Sequence, residues 1–178
     1  MVLLVQHTLL FALPLMVVAL AGVFAERSGI INIALEGIMV FGAFVGVLCI
    51  RLFLAAGFPP EAGQLLLIIV ILITMLFGGL FALLLAYASI NLKADQTIGG
   101  TALNLLAPAL VLFLILIISK QNVLFIDSKY SSADLFMLFQ EDFGLGTSYE
   151  NPLGVIGNIL FNKVFLTTVY AIVLYIVL

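Results

Sequence analysis

Read along the chain, apolar residues form long unbroken blocks separated by short polar breaks. Blocks of about 20 apolar residues are what α-helices need to cross a bilayer, whereas a membrane barrel would alternate in segments of about 10. The first block, Val2 to Phe24, predicts a membrane helix with Pro14 near its middle. A proline there removes one backbone hydrogen bond and kinks the helix. The start "MVLLVQH" carries no Lys or Arg, so the block reads as a helix and not as a signal peptide. After the break "ERSG" comes a second block, Ile30 to Ala56. Counted from Ser28 it is about 29 residues, about 43 Å if straight, against a hydrocarbon core of about 30 Å. Either this helix tilts, or its first part is a separate short piece broken near Asn32–Gly37. "AGFPPEAG" then predicts a turn, Leu65 to Ile90 a third helix, "NLKADQ" a polar break, and Thr97 to Ser119 a fourth helix.

The pattern changes at residue 120. Residues 120–163 hold three Lys and five acidic side chains, Asp127, Asp134, Glu141, Asp142 and Glu150, and read as a solvent-facing loop. Within it, Ser131 precedes Asp134 at capping-box spacing and apolar residues follow. "SSADLFMLF" (Ser131–Phe139) and "NPLGVIGNILFN" (Asn151–Asn162) are read as short interfacial helices, or as ordered loop with apolar side chains turned to the bundle. The last run, Val164 to Leu178, would be about 22 Å as helix. It predicts that the chain stops inside a fifth helix.

Composition narrows the class. Of 178 residues, 65% are hydrophobic and 8% charged, against about 25% charged in soluble domains. The mean hydropathy is +1.39. The fold class is therefore an all-α polytopic membrane protein, one transmembrane domain over residues 1–178 with about five helices. The net charge of −3 offers no basic footprint for nucleic acid. His7 and Cys49 have no partners at metal-ligand or disulfide spacing, so no metal site is expected. No phosphate-binding G-x-x-x-x-G-K-[ST] motif occurs in these residues.

Small residues mark where helices should touch: Gly42 and Gly46 in the second helix, and Gly78, Ala82 and Ala86 in the third. In lipid such stripes let backbones approach closely. The informative positions are the polar ones. Asn32 and Glu36 are four apart and predict one helix face. A carboxylate at mid-membrane costs about 2.5–3.5 kcal/mol on insertion scales, so Glu36 needs a polar cavity, a partner such as Arg27, a helix-to-helix hydrogen bond or a ligand. Thr97, Thr101, Asn104 and Pro108 recur at spacings that share a face of the fourth helix. Gly99, Gly100 and Pro108 predict a helix loosened or broken there. Thr can bond its own helix, but the Asn104 amide must be satisfied inside the bundle.

Sliding "ERSGIINIALEG" onto "ADQTIGGTALNL" by 68 positions aligns Ile30 with Ile98, Ala34 with Ala102, Leu35 with Leu103, and Glu36 with Asn104. Each stretch follows a long helix and a charged break. The weak repeat predicts two parallel helix pairs, each bringing a polar side chain to similar depth. Transporters place solute sites at such repeat interfaces. Asn32, Glu36, Gln96, Thr97, Thr101 and Asn104 are the candidate path residues.

Two stretches also carry a resemblance. "LAGVFAERSGIINIALEGIMVFGAF" (Leu20–Phe44) and "LKADQTIGGTALNLLAPAL" (Leu92–Leu110) resemble the permease subunits of bacterial ABC importers for nucleosides and simple sugars. The wider group includes ribose and branched-chain amino acid permeases. The resemblance covers essentially the whole chain and roughly the N-terminal half or more of a typical member. It implies a multi-pass subunit of the bacterial plasma membrane, paired with a second permease subunit. Two cytoplasmic ABC ATPase subunits would hold the ATP and Mg, and an extracytoplasmic substrate-binding lipoprotein would deliver the solute. No cofactor and no enzymatic activity are implied for this chain itself, and the nucleoside branch fits better than the sugar branch. Family members continue into a basic ATPase-docking stretch and further helices, which these residues do not include.

The resemblance implies an outside N-terminus, "ERSG" and "LKADQ" inside, and the 120–163 loop outside. The basic residues lean the other way, with Arg27 and Lys93 on one side and Arg51, Lys120, Lys129 and Lys163 on the other. Two other readings remain from the residues: a secondary, proton-coupled transporter with Glu36 as the coupling carboxylate, and a membrane scaffold that moves no solute.

Overall fold

The computed structural model describes residues 2–29, 31–59, 62–126, 137–138 and 164–165. The chain divides into two compact units, Gly22–Ser131 and Met1–Ala21 with Ser132–Leu178. Four helices follow in order: α1 (Val2–Arg27), α2 (Leu35–Ala55), α3 (Gly63–Ile90) and α4 (Gln96–Ser119). Of these, α2, α3 and α4 are each long and apolar enough to cross a membrane. α1 runs 26 residues through Pro14 without interruption. Met137–Leu138 (β1) and Val164–Phe165 (β2) pair antiparallel.

The sequence pattern left α2 either tilted or broken at its start, and the structure breaks it. α1 ends at Arg27, with Gly29 in the left-handed region at φ 81°. Residues 31–34 are non-helical. α2 itself has 21 residues, about 32 Å, which matches the hydrocarbon thickness without strong tilt. Asn32 and Glu36 therefore do not share a helix face. The Asn32 side-chain Oδ1 accepts the backbone N–H of Ala34 at 3.2 Å, a local turn bond that competes with helix for this residue type.

α4 also departs from expectation. It is continuous from Gln96 to Ser119, with Gly99, Gly100 and Pro108 inside it. Its start is fixed by Asp95, whose carboxylate accepts the N–H groups of Thr97 at 2.7 Å and Ile98 at 3.2 Å. These two bonds hold the Asp95 carboxyl below its ordinary range. Two differences concern the loop and the last run. Met137 and Leu138 are extended, against the helical one of the two readings of Ser131–Phe139, and Val164 and Phe165 are extended where the fifth helix was expected to begin. Short apolar runs are compatible with either state, and the β-branched and aromatic pair Val164–Phe165 favours the strand. The remainder of both interfacial helices and of the fifth helix lies outside the described residues.

α2 packs against both α3 and α4. Against α3 it runs antiparallel. A Cβ built on Gly42 or Gly46 would lie 3.4 Å from Thr74, and one on Gly78 would lie 3.8 Å from Ile38. Phe41 and Phe81 stack at 4.5 Å with 15° between ring planes, a favourable offset arrangement. Ala82 and Ala86 are half-buried on the same helix. The core joins Ala34, Phe81, Leu85, Leu103 and Ala107. Most other large apolar side chains face outward, including Leu72, Met75, Leu105 and Phe113, as befits helices bathed in lipid.

Against α4, α2 runs parallel and very close. A Cβ on Gly37 would sit 2.9 Å from the Leu103 carbonyl oxygen and 3.0 Å from Asn104 Oδ1, and one on Gly100 would sit 3.1 Å from the Ile33 Cβ. These two positions favour glycine because the atoms that a Cβ would meet are backbone atoms, the Ile33 Cβ and an Asn104 side chain held by hydrogen bonds, none of them the far end of a flexible side chain. Replacing a helical glycine by alanine normally stabilises by about 1 kcal/mol. Here the sign is expected to reverse: Gly37→Ala should lower the melting temperature of the purified permease in detergent by about 3–6 °C. An unchanged or higher melting temperature would reject the close approach.

The Asp95 cap makes a second prediction. Its lowered carboxyl means the cap contributes above the unfolded-state pKa and is lost as pH falls through the lower folded value. The melting-temperature difference between the parent and Asp95→Asn should be flat above about pH 5 and shift against the parent below about pH 4. A difference constant from pH 7 to 3 would exclude the charge on Asp95 from the cap.

Candidate functional site

The seam between the start of α2 and the first half of α4 gathers most of the candidate path residues. It begins with an unusual deficit. The N-cap of α2 is Ala34, which makes no side-chain cap bond. A helix start leaves its first backbone N–H groups without intrahelical partners. In lipid no water is present to satisfy them, and non-helical backbone is tolerated only where protein or a hydrated cavity covers it.

The partners come from α4. Asn104 Oδ1 accepts the N–H of Gly37 at 2.7 Å. Gly37 is the third residue of α2, the position whose N–H an N-cap side chain would usually engage. The same amide donates through Nδ2 to the Ile33 carbonyl at 2.8 Å. About two turns earlier on α4, Gln96 Oε1 accepts the N–H of Ile31 at 3.0 Å. Two side chains of α4 thus serve backbone groups within the helix break, at Ile31 and Ile33, and in the first turn of α2, at Gly37. An N-cap is worth about 1 kcal/mol, and interhelical side-chain bonds in bundles average about 0.6 kcal/mol.

The other candidates are placed differently. The Thr101 hydroxyl donates to the Thr97 carbonyl at 2.7 Å, so it is spent on its own helix, and Thr97 and Thr101 are both exposed. Asn32 is half-buried and occupied by Ala34. Glu36 is exposed on the first turn of α2, where a negative charge is favoured by the helix dipole. Its carboxylate stands beside a backbone that Asn104 bonds at Gly37 and Ile33.

Three participants were not picked out from the sequence. Asp95 carries the N-cap signature directly before an apolar periodic run and was legible by that rule. The close contacts of Gly37 and of Gly100, the latter read from the sequence only as loosening the fourth helix, were not legible, because a glycine's role depends on what lies opposite. The 68-residue repeat brings its two stretches side by side, since Ile31 meets Gln96 and Gly37 meets Asn104. It fails in local structure, because 31–34 are non-helical where the aligned 99–102 are helical.

Comparison with known proteins follows this geometry. Over residues 4–178 the chain matches the family described as the branched-chain amino acid transport system / permease component. It is 39% identical over 171 residues to the guanosine ABC transporter permease protein NupQ of Bacillus subtilis, covering 96% of this chain and 48% of that protein. It is 36% identical over 169 residues to the nucleoside ABC transporter permease protein NupC of Lactococcus lactis, covering 95% of this chain and 48% of that protein. The chain thus spans about half the length of the curated relatives it matches. No solved structure matches it. With three spans of sufficient length and a family match along nearly its whole length, the chain is a membrane protein and belongs to the branched-chain amino acid transport system / permease component family.

Proposed function

We propose that the chain forms part of the transmembrane permease of an ATP-driven ABC importer that moves nucleosides or related sugar-containing solutes inward across the bacterial plasma membrane. The likeness to guanosine and nucleoside permeases along almost the whole chain carries this reading. The permease would pair with a second permease subunit. Two cytoplasmic ABC ATPases would bind ATP and Mg and perform the hydrolysis, and an extracytoplasmic lipoprotein would hand over the solute. The chain itself would bind no cofactor and catalyse no bond chemistry.

The solute class suits the seam. A nucleoside carries ribose hydroxyls and base donors that lose water on entering a membrane path, and each needs a replacement acceptor or donor. Glu36 offers an exposed carboxylate acceptor at the start of α2, and an ionisable side chain on a membrane helix is a functional site by default. Thr97 and Thr101, exposed on α4, and Asn32 would support it. Gln96 and Asn104 would border the path while holding its backbone. Alternating access would follow as ATPase closure moves helix bundles around this path.

In vesicles carrying the complete importer, uptake of labelled guanosine should require ATP and the binding protein and survive collapse of the proton gradient. Glu36→Leu should insert normally and lower that uptake at least about tenfold, a loss of transition-state stabilisation of about 1.4 kcal/mol or more. Uptake that followed the proton gradient would replace the importer reading with a proton-coupled one, and normal uptake by Glu36→Leu would remove Glu36 from the path.

The 120–163 loop is proposed to face outward, where a binding protein would dock, with "ERSG" and "LKADQ" inside. A cysteine introduced by Ser132→Cys in the full-length permease should react with an impermeant thiol reagent on intact cells. Reaction only after the cells are opened would invert the topology.

A further inference from the structure

We infer that Asn104 is a positioning residue for Glu36: an amide on α4 that caps α2 in trans and so sets where the first turn of α2 presents its carboxylate. The inference rests on the reading of Glu36 as a path residue. Ala34 stands at the N-cap of α2 and offers no side-chain cap bond, so the N–H of Gly37, which such a cap would engage, needs a partner from elsewhere. Asn104 supplies both missing halves at once, accepting from Gly37 N–H at 2.7 Å and donating to the Ile33 carbonyl at 2.8 Å. Its two bonds straddle Glu36, one partner three residues before it and the other one residue after it.

The seam has no slack in which the turn could settle elsewhere. Any Cβ at Gly37 would press on the Leu103 carbonyl and on Asn104, and any Cβ at Gly100 would press on Ile33 and Ala34. The acceptor bond is the one that caps, because it engages the third N–H of the helix. The donor bond fixes the direction from which the chain enters. Aspartate at this position would keep the first and lose the second, whereas leucine, of similar size, would lose both. This gives the site a graded test that a space-filling role would not reproduce.

The test uses the full-length permease assembled with its partner subunits, freed of native cysteines, Cys49→Ser included. Glu36→Cys reports the place of the turn through its rate of reaction with a small water-soluble thiol reagent. Ser28→Cys, on the α1 side of the break and exposed, is the control. Asn104→Leu should change the reaction rate at position 36 by about fivefold, the population shift that follows loss of a helix cap, and leave position 28 unchanged. Asn104→Asp should keep the rate at position 36 near the parent's. In complexes with Glu36 intact, the leucine variant should lower guanosine uptake and the aspartate variant should restore it.

An unchanged rate at position 36 with leucine, or an aspartate variant that behaves like leucine, would overturn the proposal. Should the leucine variant not accumulate, Asn104→Ala takes its place with the same expectation. Labelling tests the positioning without reference to transport, while Glu36→Leu uptake tests the path reading. The two can therefore fail separately.

Discussion

A helix that starts inside or at the edge of a membrane must find partners for its first backbone N–H groups, and the local sequence of α2 supplies one of them, the Asn32 side chain for the Ala34 N–H. Its N-cap is an alanine. The Asn104 amide on α4 answers that constraint with two short bonds to backbone, one to Gly37 and one to Ile33. In water the same groups could turn to solvent at small cost. Where solvent is excluded, an unmet backbone group costs several kcal/mol, and the position of α4 becomes a condition for α2 starting where it does.

From that condition the tight seam follows. A side-chain amide reaches the backbone of a neighbouring helix only if the two helices approach closely, and Gly37 and Gly100 permit the approach. Gln96 extends the arrangement across the break by accepting from Ile31. The opposite face of α2 meets α3 through Gly42, Gly46 and the Phe41–Phe81 stack. That face is ordinary bundle packing, in which small residues and dispersion replace the hydrophobic drive that lipid abolishes. The α4 face differs because it is held by polar bonds to main chain, which specify register in a way that apolar packing does not.

The seam also separates two roles that the sequence had merged. Asn104 and Gln96 look from composition like solute-binding amides, but their acceptor atoms are committed to backbone N–H groups. From the sequence, Glu36 reads as a partly buried carboxylate in the early turns of a longer membrane helix, in need of a partner. It stands instead in the first turn of α2, exposed, with the helix dipole in its favour. The polar residues therefore divide into those that build the opening of α2 and one that the opening presents.

The sequence alone determined the class and the approximate extents of α1, α3 and α4. Apolar blocks of bilayer length admit few alternatives once backbone groups must be satisfied within a segment. It also marked Asn32, Glu36, Gln96 and Asn104 as out of place in lipid, because polarity in an apolar run is a local property. Only the tertiary structure decided which backbone groups Asn32, Gln96 and Asn104 bond. Whether Asn32 continues a helix or folds onto Ala34, and whether Asn104 faces a hydrated path or caps a neighbour, depends on which backbone lies within about 3 Å. That neighbour is 67 residues away along the chain for Gly37 and 71 for Ile33. No periodicity within one helix encodes it, since the register of α2 against α4 exists only after both have packed.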